Sequence, residues 1–359
     1  MKARHGLVIG KFYPPHEGHA LLVRAAAEQS ERVTVLVMAA TVESIPLADR
    51  VAWVREIHAA TPHVRVLGTM DDVPVDYEDD GVWEAHVAIM REALQGERVD
   101  AVFTSEAYGE ELARRLAARH VSVDPPRAGA PVSGTAVRRD PVAHWRRLAP
   151  CVRAWFARRL VIVGAESTGK STLAEALAGR LTARGAAFAP TLHVAEYGRE
   201  YTVEKLAALR RERPDAPMEA LQWSSDDFVA VARTQQARED AAARRGAPVL
   251  ICDTDAFATG VWHERYLGRR SAPVEAFAAA PHGRRYLLTH PDDVPFEQDG
   301  LRDGEHLRRW MTDVFVQRLT EAGHSWRWLR GPRDERLAHA LAAVDAWLAE
   351  GWQLAAPLG

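Results

Sequence analysis

The 359-residue chain reads as a two-domain α/β protein with a parallel sheet in each domain. Three observations lead there. Short apolar runs alternate with helix-like stretches along the chain; two of those runs end in glycine-bearing loops suited to phosphate; and the length allows two separate cores. The first domain, a Rossmann-like unit, is expected over residues 1–150, and the second, a phosphate-loop unit, over residues 151–359.

In the first domain the strand candidates are residues 7–9, 33–38, 64–67 and 101–103. Residues 69–81 are acidic and turn-rich and read as a solvated loop. Trp83, just beyond, is either a core residue or a ring available for stacking. Asp140-Pro141 and Ala149-Pro150 bracket the junction. Residues 144–159 read as one amphipathic helix joining the domains, with Trp145, Leu148, Val152, Trp155 and Phe156 on its apolar side. Strands are expected again at 191–195, 249–252, 286–289 and 326–329, with a closing helix over 333–352.

Residues 164–171, Gly-Ala-Glu-Ser-Thr-Gly-Lys-Ser, fit the pattern G-x-x-x-x-G-K-[ST]. They follow the apolar run 160–163 and precede a helix whose buried face carries Leu173, Leu177 and Leu181, with Gly185 placed to end it. In such a loop the glycines let backbone N–H groups close around phosphates, Lys170 reaches the terminal phosphate, and the Ser171 hydroxyl can hold Mg²⁺. The expected ATP-binding residues are Gly164, Glu166, Ser167, Thr168, Gly169, Lys170, Ser171 and Thr172.

A second loop, Gly10-Lys11-Phe12-Tyr13-Pro14-Pro15-His16-Glu17-Gly18-His19, directly follows the first strand. If Gly18 opens a helix, His16 and His19 can both face an anion at its N-terminus. Further on, Val132-Ser133-Gly134-Thr135-Ala136-Val137-Arg138 offers hydroxyls that can cap a helix, with Arg138 suited to phosphate.

The H-x-G-H string resembles the signature of the nucleotidylyltransferase superfamily, and its longer form resembles that of the nicotinamide-mononucleotide branch. Residues 132–138 resemble the superfamily's I-S-x-T-x-I-R motif. With Asp49-Arg50, residues 103–106, residues 196–200, Asp253-Thr254-Asp255 and residues 299–302, the chain resembles the bifunctional NadR-type family over nearly its whole length. The resemblance implies that Gly10, Lys11, Phe12, His16, His19, Ser133, Thr135 and Arg138 hold one ATP. It implies that Trp83 stacks on a nicotinamide ring. In the second domain Asp253 would order Mg²⁺ with Ser171, Asp255 would meet the cis hydroxyls of a ribose, and Tyr197 and Arg199 would join Glu196 at the substrate. Glu196 and Asp253 both stay open as the base that takes the 5′-hydroxyl proton. Arg302, between Gly300 and Gly304, would ride on a closing lid.

The implied reactions share one intermediate: ATP phosphorylates ribosylnicotinamide to NMN, and a second ATP adenylylates NMN to NAD. Two alternatives stand beside this reading. One is another adenylyltransferase–kinase fusion such as a coenzyme A synthase; the other is a regulator that senses NAD and ATP without turnover in its first domain. With 46 basic and 49 acidic residues, net −3, the chain has no basic field for nucleic acid. Only five residues precede Gly6, so no helix-turn-helix is expected ahead of the first domain. The two cysteines show no metal or disulfide spacing, and no signal peptide or membrane segment is read, which points to the cytoplasm. Of four lysines, Lys11 and Lys170 fall in the phosphate loops, where a compact charge fits better than a guanidinium. A homo-oligomer stays open.

Overall fold

A computed structural model describes residues 2–124, 129, 131–278 and 283–358. The chain divides into two compact units, Met1–Val152 together with Glu350–Gly359, and Arg153–Ala349.

The first unit runs β1 (Ala3–Gly10), α1 (Glu17–Gln29), β2 (Ser30–Ala39), α2 (Leu47–Ile57), β3 (Val64–Met70), α3 (Asp80–Ala93), β4 (Ala101–Thr104), α4 (Gly109–Arg115), β5 (Arg119–Ser122) and α5 (Gly134–Arg139). Its strands are parallel in the order β3-β2-β1-β4-β5. Side-chain alternation explains why the central strands look continuously apolar: Val8, Val35 and Val37 pack on one face with Leu22, Val23 and Ala26 of α1, whereas Leu7 and Leu36 pack on the other with Val87 and Met90 of α3. β5 is an addition to the strands expected from sequence. It is short, its residues Arg119 and Ser122 are exposed, and it has no apolar run to announce it.

Residues 144–159 are not one helix. A single 3₁₀ turn spans Trp145–Arg147, then α6 covers Pro150–Phe156. Pro150 has no N–H to give a preceding turn, disfavours helix at Ala149, and suits the start of a new helix. Arg158 and Arg159 already belong to the next strand. Trp145, Leu148, Val152 and Phe156 are nonetheless buried, as the apolar spacing indicated.

The second unit continues with β6 (Arg158–Val163), α7 (Lys170–Thr182), β7 (His193–Val194), α8 (Tyr197–Glu212), α9 (Ser225–Arg245), β8 (Val249–Asp253), α10 (Ala256–Leu267), α11 (Ala272–Ala278), β9 (Arg284–Thr289), α12 (Arg308–Glu321), β10 (Ser325–Leu329) and α13 (Arg333–Ala349). This sheet is also parallel, in the order β10-β9-β6-β8-β7. Leu160 and Ile162 of β6 pack against Leu173, Leu177 and Leu181 of α7 and against Val344 and Trp347 of α13.

Two elements of this unit are shorter than the sequence reading has them. β7 is only two residues long, and α13 stops at Ala349 before Gly351, whose φ of 63° lies in the left-handed region. Residues 350–358, expected with the second domain, cluster with the first unit. Among the described residues no helix is long and apolar enough to cross a membrane.

Candidate functional site

In the first unit the chain turns to opposite sides of the sheet between β1 and β4, which leaves a crevice at their carboxyl ends. A cavity of about 550 Å³ opens there, lined by Gly10, Lys11, Phe12, His16, His19, Ser133, Thr135 and Arg138. All eight residues expected to hold this ATP therefore meet in one place.

α1 starts at Glu17, one residue before Gly18, with His16 as its cap. His16 Nδ1 accepts the Gly18 N–H at 3.2 Å, and His19 Nδ1 accepts the His16 N–H at 3.3 Å. An imidazole that accepts at Nδ1 carries its proton on Nε2 when neutral, the tautomer able to donate to a phosphate oxygen. The two rings lie 3.9 Å apart, and Phe12 packs 4.7 Å from His19. Phe12 has φ 44°, a conformation L residues avoid unless their surroundings impose it.

Ser133 caps α5 by accepting the Ala136 N–H at 3.1 Å. Arg138 is held by Tyr13, donating to its carbonyl at 2.6 Å with the guanidinium 4.8 Å from its ring, and also donates to Thr135 Oγ1 at 3.0 Å. Lys11 lies 3.4 Å from the buried Glu43 carboxylate and donates to the Leu358 carbonyl. Glu43 in turn pairs at 2.5 Å with Arg50, whose side chain is wholly buried. Trp83 is 7% exposed in the core and also lines the cavity, near Tyr77, whose carbonyl accepts its Nε1–H at 3.1 Å.

In the second unit a cavity of about 600 Å³ lies over the loop after β6. Gly164 has φ 149°, and a Cβ there would come within 2.2 Å of Thr289 Oγ1, so only glycine fits. Gly169 has φ 76° and leads into α7. Lys170 is 8% exposed and donates to the Ala165 carbonyl at 2.8 Å.

Around this lysine stand Glu196, at the end of β7, and Asp253, at the end of β8. Burial pushes the half-buried Glu196 carboxyl up to about 7, opposed by the Lys170 charge and assisted by Asp253 and Glu166. Asp253 is raised as well, by burial first, while Lys170 and a hydrogen bond from Ser171 pull it down. Its Oδ1 is buried without a hydrogen-bond partner among the described residues.

Several expected residues point elsewhere. The Asp255 carboxylate is fully buried. It caps α10 at Ala258 N (3.0 Å) and accepts from Arg284 (3.0 Å) and Tyr286 (2.9 Å), so it is not at the cavity. The reason is sequence-local: Asp255 is the residue before a helix, where a carboxylate serves the open N–H groups. The Tyr197 ring packs against Tyr201 with Arg238 4.4 Å from it and does not line the cavity, unlike Glu196 and Arg199. The Thr168 hydroxyl turns inward to Thr289 (2.7 Å) and the Ala165 carbonyl (2.9 Å).

Glu166 and Ser167 use their side chains to hold the segment expected to act as a lid. Glu166 accepts the Gly304 N–H at 2.9 Å and pairs with Arg265 at 2.9 Å; Ser167 Oγ accepts the Glu297 N–H at 2.8 Å. Arg302 lies against the same loop, donating to Ser167 Oγ at 3.3 Å and the Glu297 carbonyl at 2.6 Å.

The sequence reading missed the far wall of this cavity. Trp223 stands 5.1 Å from Tyr266 and 5.4 Å from Phe228, and Trp262 stands 6.4 Å from Tyr266. The i,i+4 spacing of Trp262 and Tyr266 on the helix following Asp253 was a usable signal. Arg336, which donates to the Thr168 carbonyl at 2.8 Å, was not readable, because α13 comes to the loop from far along the chain.

Residues 7–140 match the cytidylyltransferase-like family, and residues 159–336 match the AAA domain family. The chain is 27% identical over 332 residues to the trifunctional NAD biosynthesis/regulator protein NadR of Escherichia coli (strain K12). It is 28% identical over 333 residues to the protein of that name from Salmonella typhimurium (strain LT2). Each alignment covers 88% of this chain and 76% of the relative. Two solved structures share the fold at 20% identity: a NadR protein in complex with NR, with TM-score 0.69 over 98% of this chain and 97% of that one, and a NadR protein in complex with NAD and AMP-PNP, with TM-score 0.70 over 97% and 96%. The chain is a homologue of the NadR proteins, with a cytidylyltransferase-like unit followed by a phosphate-loop unit.

Proposed function

We propose that the protein makes NAD in two steps. The second unit moves the γ-phosphoryl group of ATP to the 5′-hydroxyl of ribosylnicotinamide, and the first unit joins the resulting NMN to the adenylyl group of another ATP, releasing pyrophosphate. The observation that carries this reading is the presence of two separate phosphate-binding loops, each after a central parallel strand and each opening into its own cavity, in one chain homologous to NadR across both.

In the kinase step Glu196 is the base. Its carboxyl, raised to about 7, is close to half ionised at neutral pH and can take the hydroxyl proton as the oxygen attacks phosphorus. Lys170 and the loop N–H groups hold the phosphates, and the aromatic wall of Trp223, Trp262 and Tyr266 offers a surface for the nicotinamide ring. Ser171 and Asp253 fit a magnesium ion, because Asp253 presents a buried oxygen that no group among the described residues answers. Bound there, the ion would screen the β- and γ-phosphate charge.

In the adenylyl step the nucleophile is the NMN phosphate, whose second pKa of about 6 leaves it anionic at neutral pH, so no base is needed. One phosphate oxygen bonds to the α-phosphorus as the bond to the bridging oxygen breaks, and the pair leaves on pyrophosphate. Lys11, Arg138 and the two histidine Nε2–H groups supply the positive field for that charge. The cytoplasm is the compartment this reading implies, and both cysteines, Cys151 and Cys252, are buried.

The test is to incubate the purified protein with ATP, Mg²⁺ and ribosylnicotinamide and identify products by mass. NMN and NAD together support the reading; in parallel incubations, consumption of supplied dephospho-coenzyme A supports a coenzyme A synthase, and failure to turn over supplied NMN with ATP supports a sensor.

A further inference from the structure

Gln235, on α9, is 1% exposed, and its Oε1 accepts the Tyr197 backbone N–H at 3.0 Å, one residue past Glu196. Only an oxygen can answer that N–H, so the bond fixes which way round the amide sits. Nε2 is then the other arm, and it has no partner among the described residues. The residue lines the second cavity together with Glu196, Thr202 and Thr259. A buried N–H without an acceptor carries a desolvation cost that folded proteins seldom keep, and a molecule in this cavity is what can answer it.

We propose that Gln235 Nε2 donates to the 2′- or 3′-hydroxyl oxygen of the nucleoside substrate and makes the kinase selective for an intact ribose. This rests on the second unit being a nucleoside kinase. Gln235→Glu tests it, since a carboxylate still accepts from Tyr197 but cannot donate. The Michaelis constant for ribosylnicotinamide should rise about tenfold or more, and against one of the 2′- and 3′-deoxy analogues the variant and the unaltered protein should become equal. Formation of NAD from NMN in the same chain checks that the protein is intact.

A Michaelis constant within about twofold of the original, or an equal penalty on both deoxy analogues, overturns the proposal. Should Gln235→Glu not fold, the unaltered protein decides: it must bind one deoxy analogue about tenfold more weakly than ribosylnicotinamide. If the unaltered protein phosphorylates no nucleoside, the kinase reading itself fails, which is a separate result.

At the first site, residues 350–358 make a different kind of contact. The Ala355 N–H donates to Ser44 Oγ at 2.8 Å, and its carbonyl accepts from the Tyr13 hydroxyl at 2.9 Å; that hydroxyl accepts the Ser44 N–H at 2.9 Å. Pro357 lines the cavity, and the Leu358 carbonyl takes a hydrogen bond from Lys11. No side chain of residues 350–358 is fully buried.

The geometry points to a tethered competitor: the segment occupies Lys11 until nucleotide phosphate displaces it. This rests on Lys11 being a phosphate ligand. Deleting residues 354–359 should lower the Michaelis constant for ATP in NAD formation roughly threefold or more with little change in turnover, because a tethered competitor acts at high effective concentration. Ser44→Ala should move it the same way by less, and the kinase constants should not change. In the unaltered protein an ATP analogue should speed hydrogen exchange at the Ala355 amide, whose N–H is bonded to Ser44. An unchanged or raised Michaelis constant, or slower exchange on nucleotide binding, makes the segment a fixed wall and overturns the proposal. Absence of NAD formation in both proteins would sink the adenylyltransferase reading, while the exchange result would still decide the competitor.

Discussion

At the scale of single residues, the two loops predict separable chemistry. Lys170→Ala should abolish phosphorylation of ribosylnicotinamide while adenylylation of NMN persists, and His19→Ala should do the reverse; paired assays on each variant check this, and loss of both activities from a folded protein would refute two sites. Glu196 adds a pH dependence with a definite sign. Its carboxyl is raised from 4.5 to about 7, so the base form grows as pH rises through 7, and phosphorylation should climb about tenfold per pH unit below that point and then level off. The stability contributed by the neutral carboxyl is present below 4.5 and lost as pH rises through 7. Glu196→Gln should therefore remove the inflection along with most of the turnover; a variant that keeps both is incompatible with Glu196 as base. What the sequence made legible at this scale was residue type in a motif, since all eight expected ligands of the first ATP line one cavity. Side-chain direction was not legible. Asp255 and Thr168 sit in the right strings, yet their oxygens serve α10 and Thr289, because cap and loop geometry decide where a short polar side chain turns.

At the scale of elements, the segment from Glu297 to Gly304 joins the phosphate loop through side chains that a motif match would assign to ATP. Glu166 and Ser167 hold Gly304 and Glu297, and Arg302 lies within reach of the same Ser167 hydroxyl. Closure that places Arg302 over the transferred phosphoryl group would act mainly in the transition state. Arg302→Ala should then reduce turnover by roughly 10³ with little change in ribosylnicotinamide binding. A loss below about tenfold, or ~1.4 kcal/mol of barrier, would make it a surface residue. Glu166→Gln should weaken the clasp through Arg265 and raise the Michaelis constant for ATP in the kinase reaction alone, measured by initial rates. Element existence was readable wherever an apolar run met a turn, and failed in two informative places. β5 has no apolar run because it is an exposed edge, and residues 144–159 keep helical spacing although Pro150 interrupts the backbone. Periodicity reports which side chains are buried; it does not report whether the hydrogen-bond ladder beneath them is continuous.

At the scale of the whole molecule, each unit has its own sheet and its own cores, and so should have its own unfolding transition. Membership in a unit is a long-range property, which is why residues 350–358 could not be assigned from their neighbours in sequence: their partners, Ser44 and Tyr13, lie more than 300 positions away. A buried network in the second unit offers a way to separate the transitions. Arg284 is ion-paired with both Glu239 (2.7 Å) and Asp255 (3.0 Å), and all three side chains are 3% exposed or less. Removing one partner of such a network leaves uncompensated charge in the interior, at a cost of about 3–5 kcal/mol. Asp255→Ala should accordingly lower one calorimetric transition and leave the other in place, and over the intervening temperatures the variant should still make NAD from NMN while failing to make NMN. Ribosylnicotinamide at about 100 times its dissociation constant should raise that same transition by roughly 2.7 kcal/mol of stability and not the other. If scanning calorimetry instead shows one transition that moves as a whole under both perturbations, the units fold as a single cooperative body, and the separation of activities by substitution would have to be sought in the sites alone.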